Sequence, residues 1–185
     1  MNNNSDFVTS GKPKATGAIH GAPAGTAIPV DAATPLNTAF KNLGYISEDG
    51  VTNAIESDIE NAQAWGGDTV MVVQTSYNET YAFTCIETNV TVLSEYFGED
   101  NVTAVGANLT IKHTGQELKE HPWVIETVLK DGRIQRSVIP KGKISERGEI
   151  TFKDDEPISY EMTISALPDA EGGTAYTYIA APEED

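Results

Sequence analysis

The sequence has few of the residues from which catalytic and metal sites are usually built. Its 185 residues include one cysteine, Cys85, so no disulfide can form within the chain, and none of the common catalytic or phosphate-binding motifs is present. Three histidines, His20, His113 and His121, are expected on an arm, a strand and a loop, too scattered for a metal cluster or a catalytic base. Cys85 falls on an alternating strand and is expected in the core. The sequence therefore predicts a protein that is not an enzyme and that uses no cofactor or metal.

Positive charge is also scarce. The chain has 12 basic and 28 acidic residues, which gives a formal net charge of −16. Non-specific binding to nucleic acid depends on Lys and Arg at phosphates, so the overall charge excludes DNA as an adhesive partner. The sequence has no apolar run of transmembrane length, and its N-terminus lacks the apolar core of a signal peptide. We expect no membrane insertion.

Aromatic residues are missing from a long N-terminal stretch, between Phe7 and Phe40. Residues 11–35 are rich in Gly, Pro and Ala, and such a segment buries too little apolar surface to offset its ordering entropy alone. Residues 1–35 are therefore predicted to form an extended, flexible N-terminal arm; the alternative is that the arm orders by lying across another subunit. Residues 171–185 are predicted to form a short strand followed by an acidic tail.

The middle of the chain has the side-chain patterns of β-strands. Along residues 158–166 apolar and polar side chains alternate, which predicts a half-buried strand. The stretches 67–76 and 81–88 are predicted to pair as a hairpin that turns at residues 77–79. The first of them is apolar on both faces, and the second alternates.

A further hairpin is predicted around Asp131 and Gly132, because Asp-Gly supplies the positive φ angles of a two-residue turn. At the tip of this hairpin Lys130 faces Arg133, a like-charge pair that is unfavourable by itself. Folding about the turn gives the following pairs: Leu129 with Ile134, Thr127 with Arg136, Ile125 with Val138, and Trp123 near Pro140.

One helix is predicted between the strands. Val92, Leu93, Tyr96 and Phe97 have the spacing of an apolar stripe on a helix, and Gly98 is placed to end it.

The predicted fold class follows from these elements. It is mainly β: an antiparallel β-sandwich or barrel over residues 36–170, with one flanking α-helix and extended N- and C-terminal arms. Residues 56–66 could begin a helix at a Ser57 cap, but their apolar residues fit no period well, so their structure is left open.

Most of the positive charge lies in one segment, residues 130–153, which has seven basic residues against three acidic ones. A solvated hairpin would account for it. A second interpretation is that the segment contacts an acidic surface on another copy of the same protein, because charge complementarity fixes the register and orientation of an interface. Five side chains are the candidates for such a subunit interface: Lys130, Arg133, Arg136, Lys141 and Lys143.

Four stretches, in this order, resemble the major tail protein, the tail-tube subunit, of long-tailed bacteriophages with non-contractile tails: AGTAIPVDAATPLNTAFKNLGYISEDGVT, AQAWGGDTV, FTCIETNVTVLSEYFGEDNVT and RGEITFKDDEPISYEMTISALPD. The resemblance implies a subunit that forms hexameric rings, which stack into a hollow tube for the ejection of double-stranded DNA into the host. It also implies a place in the virion tail, assembly in the host cytoplasm, and contacts with tape-measure, tail-terminator and tail-tip proteins.

The resemblance also gives the acidic residues a role. An acidic lumen would repel phosphate and keep the passing DNA from sticking. Four carboxylates on and before the alternating strand are candidates for this lining: Glu149, Asp154, Asp155 and Glu161.

The alternative to a tube subunit is a monomeric β-sandwich that binds a ligand or carbohydrate, for example a virion decoration protein. Such a module needs a cavity lined by aromatic residues around convergent polar groups. Trp65 and Trp123 are the only tryptophans available for it, and both are expected in the core instead.

Overall fold

The computed structural model describes residues 3–182, apart from the side chain of Asp6. One α-helix, α1, spans Val90–Phe97, and two short 3-10 turns span Ser5–Phe7 and Glu99–Asn101. The strands are β1 Gly11–Pro13, β2 Ile19–Gly21, β3 Lys41–Asn42, β4 Ile46–Gln63, β5 Thr69–Cys85, β6 Val102–Val105, β7 Asn108–Ile111, β8 His121–Leu129, β9 Ile134–Arg147, β10 Tyr160–Leu167 and β11 Tyr176–Ala180.

Nine of these strands form one antiparallel sheet. Its central order is β3-β2-β8-β9-β10-β5-β4, with β1 added beside β8 and β11 added beside β9. The other two described strands, β6 and β7, form a separate hairpin. The chain is thus mainly β with one described α-helix, which confirms the predicted fold class and is consistent with a β-sandwich.

The main core lies on one face of this sheet. Strand β10 alternates as its sequence predicts, and Met162 and Ile164 are fully buried. The register places Met162 opposite Phe83 and Ile164 opposite Tyr81, so the inward sides of β10 and β5 meet. Each fully buried side chain of this kind stabilises the fold by about 1.5–3 kcal/mol.

A smaller core lies on the opposite face. Val124 and Val138 point away from Trp123 and pack with Ala22 and Phe40 from the segment between β2 and β3. Strand β8 is therefore buried on both faces, and the N-terminal segment covers one of them.

Helix α1 closes the main core. The Asn89 side chain caps it by accepting a hydrogen bond from the Val92 N–H at 2.9 Å, and the Gly98 N–H donates to the Ser94 carbonyl at its end. Val92, Leu93 and Tyr96 are buried. The predicted helix, its apolar stripe and its stop at Gly98 are confirmed.

The β8–β9 hairpin forms at the predicted place with a different turn. Only Gly132 has a positive φ, of 86°, and residues 130–132 form a three-residue loop in which the Gly132 N–H donates to the Leu129 carbonyl. The extra loop residue shifts the predicted register by one, so that Glu126 faces Arg136 and Val124 faces Val138.

Strands β4 and β5 form one long hairpin, and the prediction of a turn at residues 77–79 is wrong. β5 runs without interruption through these residues, and the chain turns instead at Gly66 and Gly67, with φ of 122° and 98°. Positive φ angles suit glycine, whereas residues 77–79 have none. Residues 56–66, whose sequence pattern leaves their structure open, form the end of β4 and this turn.

Both ends of the chain contribute strands to the sheet. β1 and β2 pair with β8, and Ile19 of β2 is fully buried. The sheet therefore takes strands from both sides of the predicted boundary at residue 35, and the arm lies on its own chain; its flexibility stays a prediction. The predicted C-terminal strand is present as β11, while the last three residues of the acidic tail, 183–185, lie outside the described residues.

Candidate functional site

The most distinctive surface is the outer part of the β4–β5 hairpin. Strand β10 pairs with β5 only as far as Glu79, so beyond this point β4 and β5 have each other as their only partners among the described strands. We call residues 56–78 the ribbon. All of it is exposed except the half-buried Ala62 and Ser76.

The ribbon exposes apolar side chains on both faces. Trp65 lies at its tip and is completely exposed, which contradicts the expectation that it belongs to the core. Val70 and Val72 are exposed by 64% and 63% of their surface. Six large apolar residues of the ribbon besides Trp65 are exposed: Ile59, Val70, Met71, Val72, Val73 and Tyr77. Contiguous exposed apolar surface of this kind is typical of an interaction site.

The ribbon carries charge of one sign. No lysine, arginine or histidine occurs between Lys41 and Lys112, a span that includes all of β4, β5 and α1. The ribbon itself has four carboxylates: Glu56, Asp58, Glu60 and Asp68. The ribbon is thus both apolar and acidic.

The five predicted interface residues do not form one patch. Lys130 at the β8–β9 tip and Lys141 on β9 are exposed. Arg133 binds Asp131, with 2.6 Å between Nε and Oδ2, rather than facing Lys130, and Lys143 binds Glu117. Two of these four residues therefore already have an acidic partner in the same chain.

Arg136, the fifth interface candidate, lies inside the subunit instead of on its surface. Its side chain is 1% exposed and its Nη2 lies 2.6 Å from Oε1 of Glu126. Its Nη1 donates to the carbonyls of Asp31 and Thr34 at 2.8 Å. Arg136 therefore links the segment that contains Asp31 and Thr34 to strand β9 of the sheet.

The four candidate lumen residues lie on one connection and the strand that follows it. Glu149, Asp154 and Asp155 are exposed on the chain between β9 and β10, and Glu161 is exposed on the outward face of β10. The structure thus places them on neighbouring parts of the chain. Their role as the lining of a channel stays a prediction.

The residues considered for catalysis are used in packing. Cys85 is fully buried, and burial, with the charges of Glu95 and Glu87, raises the pKa of its thiol to about 12. His121 binds Glu95, with 2.9 Å between Nε2 and Oε2. Within residues 3–182 there is no group of three or more His, Cys, Asp and Glu side chains placed to hold a metal.

Two hollows are candidates for ligand binding. One, of about 420 Å³, lies between α1 and residues 116–121; the other, of about 1140 Å³, lies between the base of the ribbon and the outer face of β10. Neither Trp65 nor Trp123 lines either hollow. Among the described residues, Tyr77, which lines the larger hollow, is the one Phe, Tyr or Trp residue on the wall of either, so the aromatic lining expected of a carbohydrate-binding module is reduced to a single ring.

A family model described as a phage tail tube protein matches residues 1–184. The chain belongs to the phage tail tube family. This match confirms the resemblance to a tail-tube protein drawn from the sequence. A search of curated proteins found no match.

Membership of the tail tube family makes the chain a structural component of the virion tail and not an enzyme, as predicted. The family implies self-assembly into a tube together with other tail proteins. None of the helices described for this tail tube chain is long and apolar enough to cross a membrane.

The ribbon of this tail tube protein is not predicted by its sequence pattern. The run Val70 to Val73 is apolar on both faces, a pattern that also fits a strand buried on both sides. Two signals in the sequence point to the projecting hairpin: the Gly66-Gly67 turn and the absence of basic residues around it.

Proposed function

We propose that the chain is the major tail-tube subunit of a long-tailed, non-contractile phage, and that the ribbon joins neighbouring subunits. In this proposal the subunits form hexameric rings, which assemble in the host cytoplasm and stack into a hollow tube for the ejection of double-stranded DNA. Tape-measure, tail-terminator and tail-tip proteins are its other partners. The exposed ribbon is the observation that carries the proposal.

The ribbon needs a partner for two physical reasons. A two-stranded hairpin is at best marginally stable in water, and this one exposes Trp65 together with several valines. The outer edge of β4 also lies at the end of the described sheet, where its free backbone groups form a template for another strand. In a self-assembling family, a second copy of the chain satisfies both needs.

The charges support a particular arrangement of the subunits. Because the ribbon is acidic, we propose that it binds a basic surface on the neighbouring subunit. Lys130 and Lys141, which are exposed, contribute to that surface. In this arrangement the candidate lumen carboxylates line the channel. The chain as a whole also has a net charge of −16, and both features suit a conduit that DNA crosses without binding. These carboxylates are Glu149, Asp154, Asp155 and Glu161.

A pair of valine substitutions tests the ribbon contact. Val70→Thr with Val72→Thr keeps the shape and β propensity of both side chains and adds a hydroxyl to each. Burying two unpaired hydroxyls costs about 1–3 kcal/mol apiece, so we expect the concentration needed for tube formation to rise by at least about tenfold. Negative-stain microscopy and sedimentation would measure it.

The matched control is Val30→Thr with Val105→Thr, which makes the same change at two valines outside the ribbon that are exposed by 74% and 69%. We expect normal tubes from the control and unchanged subunit stability in both pairs, to within about 0.5 kcal/mol. Normal tubes from the ribbon pair would contradict the proposal. Assembly at two salt concentrations would show whether the ion pairs contribute, because exposed pairs weaken as salt rises.

A further inference from the structure

Glu79 is a buried carboxylate at the base of the ribbon. It is 7% exposed, whereas Tyr77 and Asn78, the residues just before it, are exposed. Of the β5 residues that pair with β10, Glu79 is the one nearest the ribbon, and it lies opposite Ala166. Glu79 therefore lies where the hairpin leaves the support of the sheet.

Four donors converge on this carboxylate. Oε1 accepts from Tyr81 Oη at 2.8 Å and from Asn53 Nδ2 at 3.1 Å, and Oε2 accepts from Tyr77 Oη at 3.3 Å and from the Thr174 hydroxyl. The donors come from β4, from β5 on both sides of Glu79, and from the connection between β10 and β11. Within residues 3–182, no lysine or arginine pairs with Glu79.

The connection that carries Thr174 has hydrogen bonds of its own. Asp169 accepts hydrogen bonds from the backbone N–H groups of Glu171 and Gly173, and from the Tyr176 hydroxyl at 2.9 Å. These bonds fix the connection from β10 to β11 in a tight loop. Thr174 thus links the ribbon base to a hydrogen-bonded loop of the sheet.

The donor set suits an ionised carboxylate, which is an acceptor only and takes all four hydrogen bonds. A glutamine would keep one oxygen for Asn53 and Tyr81, and the hydroxyls facing its NH₂ group would have to turn from donors into acceptors. Burial raises the pKa of Glu79, but the hydrogen bonds from Thr174, Tyr81, Asn53 and Tyr77 lower it by more, so that its pKa lies below its ordinary value. Hydrogen bonds to an ionised group are about twice as strong as neutral ones.

We propose that Glu79 is the positioning residue of the ribbon: its carboxylate ties β4, β5 and the β10–β11 connection together and sets the direction in which the ribbon projects. An isolated two-stranded hairpin is at best marginally stable in water, so backbone pairing between β4 and β5 alone leaves the direction of the ribbon poorly defined. The inference rests on the proposed function in one respect, namely that an assembly contact must be presented in a defined direction.

A distance measurement on the unassembled subunit tests the proposal. Gln63→Cys at the far end of β4 and Lys141→Cys on β9 supply two exposed sites for spin labels, and the fully buried Cys85 stays unlabelled. Pulsed electron resonance then gives the distribution of distances between the ribbon tip and the sheet. Sedimentation at the same concentration confirms that the subunit is unassembled.

The distribution is compared in three further variants. We expect Glu79→Gln to broaden it by at least about twofold, because the variant removes the charge of the shared acceptor, and hydrogen bonds to an ionised group are about twice as strong as neutral ones. We expect Thr174→Val, which removes one donor and keeps the carboxylate, to broaden it less. Glu56→Gln is the control: it removes an exposed carboxylate from the same end of the ribbon, and it should leave the width unchanged.

An unchanged width in folded Glu79→Gln protein would overturn the proposal. If that variant does not fold, Thr174→Val decides, and an unchanged width there overturns the proposal as well. Equal broadening by Glu56→Gln would also overturn it, since any lost charge would then suffice. Because the measurement needs no assembly, failure of the valine experiment would remove the ribbon contact and leave the distance result standing.

Discussion

The two halves of strand β5 show opposite relations between sequence and burial. From Glu79 to Cys85 every second side chain is buried, and these side chains meet those of β10. From Thr69 to Asn78 the strand is at least as apolar, with four consecutive residues, Val70 to Val73, yet nearly all of it is exposed. Only the inner half, Glu79 to Cys85, has β10 as a neighbouring strand.

Burial of a strand therefore depends on its neighbouring strands as well as on its own side chains. The inner half alternates because one face lies on the core, whereas the outer half has apolar residues on both faces and covers nothing within its own chain. In a self-assembling family, the outer half fits a surface that another subunit covers. Three changes test how far the two regions differ.

The largest expected effect concerns charge. Arg136→Ala leaves Glu126, which is 2% exposed, without its main partner, and breaking a buried pair in this way costs about 3–5 kcal/mol. Lys14, at 3.8 Å from Glu126, keeps the loss towards the lower end of this range. The free energy of unfolding, measured with denaturant, gives the result.

Glu60→Ala on the ribbon is the control for this change. The Glu60 side chain is exposed, so we expect stability to change by less than about 0.5 kcal/mol. An equal loss of unfolding free energy in the two variants would show that the charged side chains of the two regions have similar environments.

The second prediction compares apolar truncations. Ile164→Ala removes a fully buried side chain that faces Tyr81, and we expect a loss of about 2–5 kcal/mol. Val72→Ala on the ribbon should change the stability of the unassembled subunit by less than about 0.5 kcal/mol. Thermal and denaturant unfolding of both variants would test this. A large loss from Val72→Ala in the unassembled subunit would mean that the ribbon already packs against its own chain.

The smallest expected effect is a pH dependence that belongs to the core. Burial lowers the pKa of His121, but the hydrogen bond and the charge of Glu95 raise it by more, so that its pKa lies above the ordinary 6.5. The stabilisation from this pair is therefore complete below 6.5 and is lost as the pH rises through the higher value in the folded state. The ribbon contains no histidine, so this pair has no counterpart there.

Unfolding free energies measured on both sides of 6.5, with a nuclear magnetic resonance titration of His121, would check this dependence. Glu95→Gln should bring the pKa of His121 down and flatten the profile. A profile that keeps its slope in Glu95→Gln would assign the effect to another group.

The elements predicted well are those whose signals are local. Alternation identified β10, and the spacing of Val92, Leu93 and Tyr96 identified α1, because each pattern reflects the period of its own element. The Asp131-Gly132 turn was located correctly, but its register was off by one, since the same dipeptide also fits a three-residue loop with a single positive φ at glycine.

The features missed depend on distant parts of the chain. Arg136 is buried because it binds Glu126 across the hairpin and the carbonyls of Asp31 and Thr34, more than 100 residues away. The register error placed Thr127 opposite Arg136 and so hid the pair with Glu126. Glu79 likewise collects donors from Asn53 and Thr174, which no local pattern connects.

The single sign of charge on the ribbon has a consequence for symmetry. A two-fold dimer that paired two ribbons edge to edge would bring two copies of the same four carboxylates together, with no basic residue of either ribbon to offset them. Like charges at close range repel, so the ribbon is matched to a surface unlike itself. A contact between two unlike surfaces leaves one of each free after every addition, and it closes only as a ring or continues as a helix. The absence of basic residues from the ribbon thus disfavours a closed pair of subunits and favours an assembly that grows.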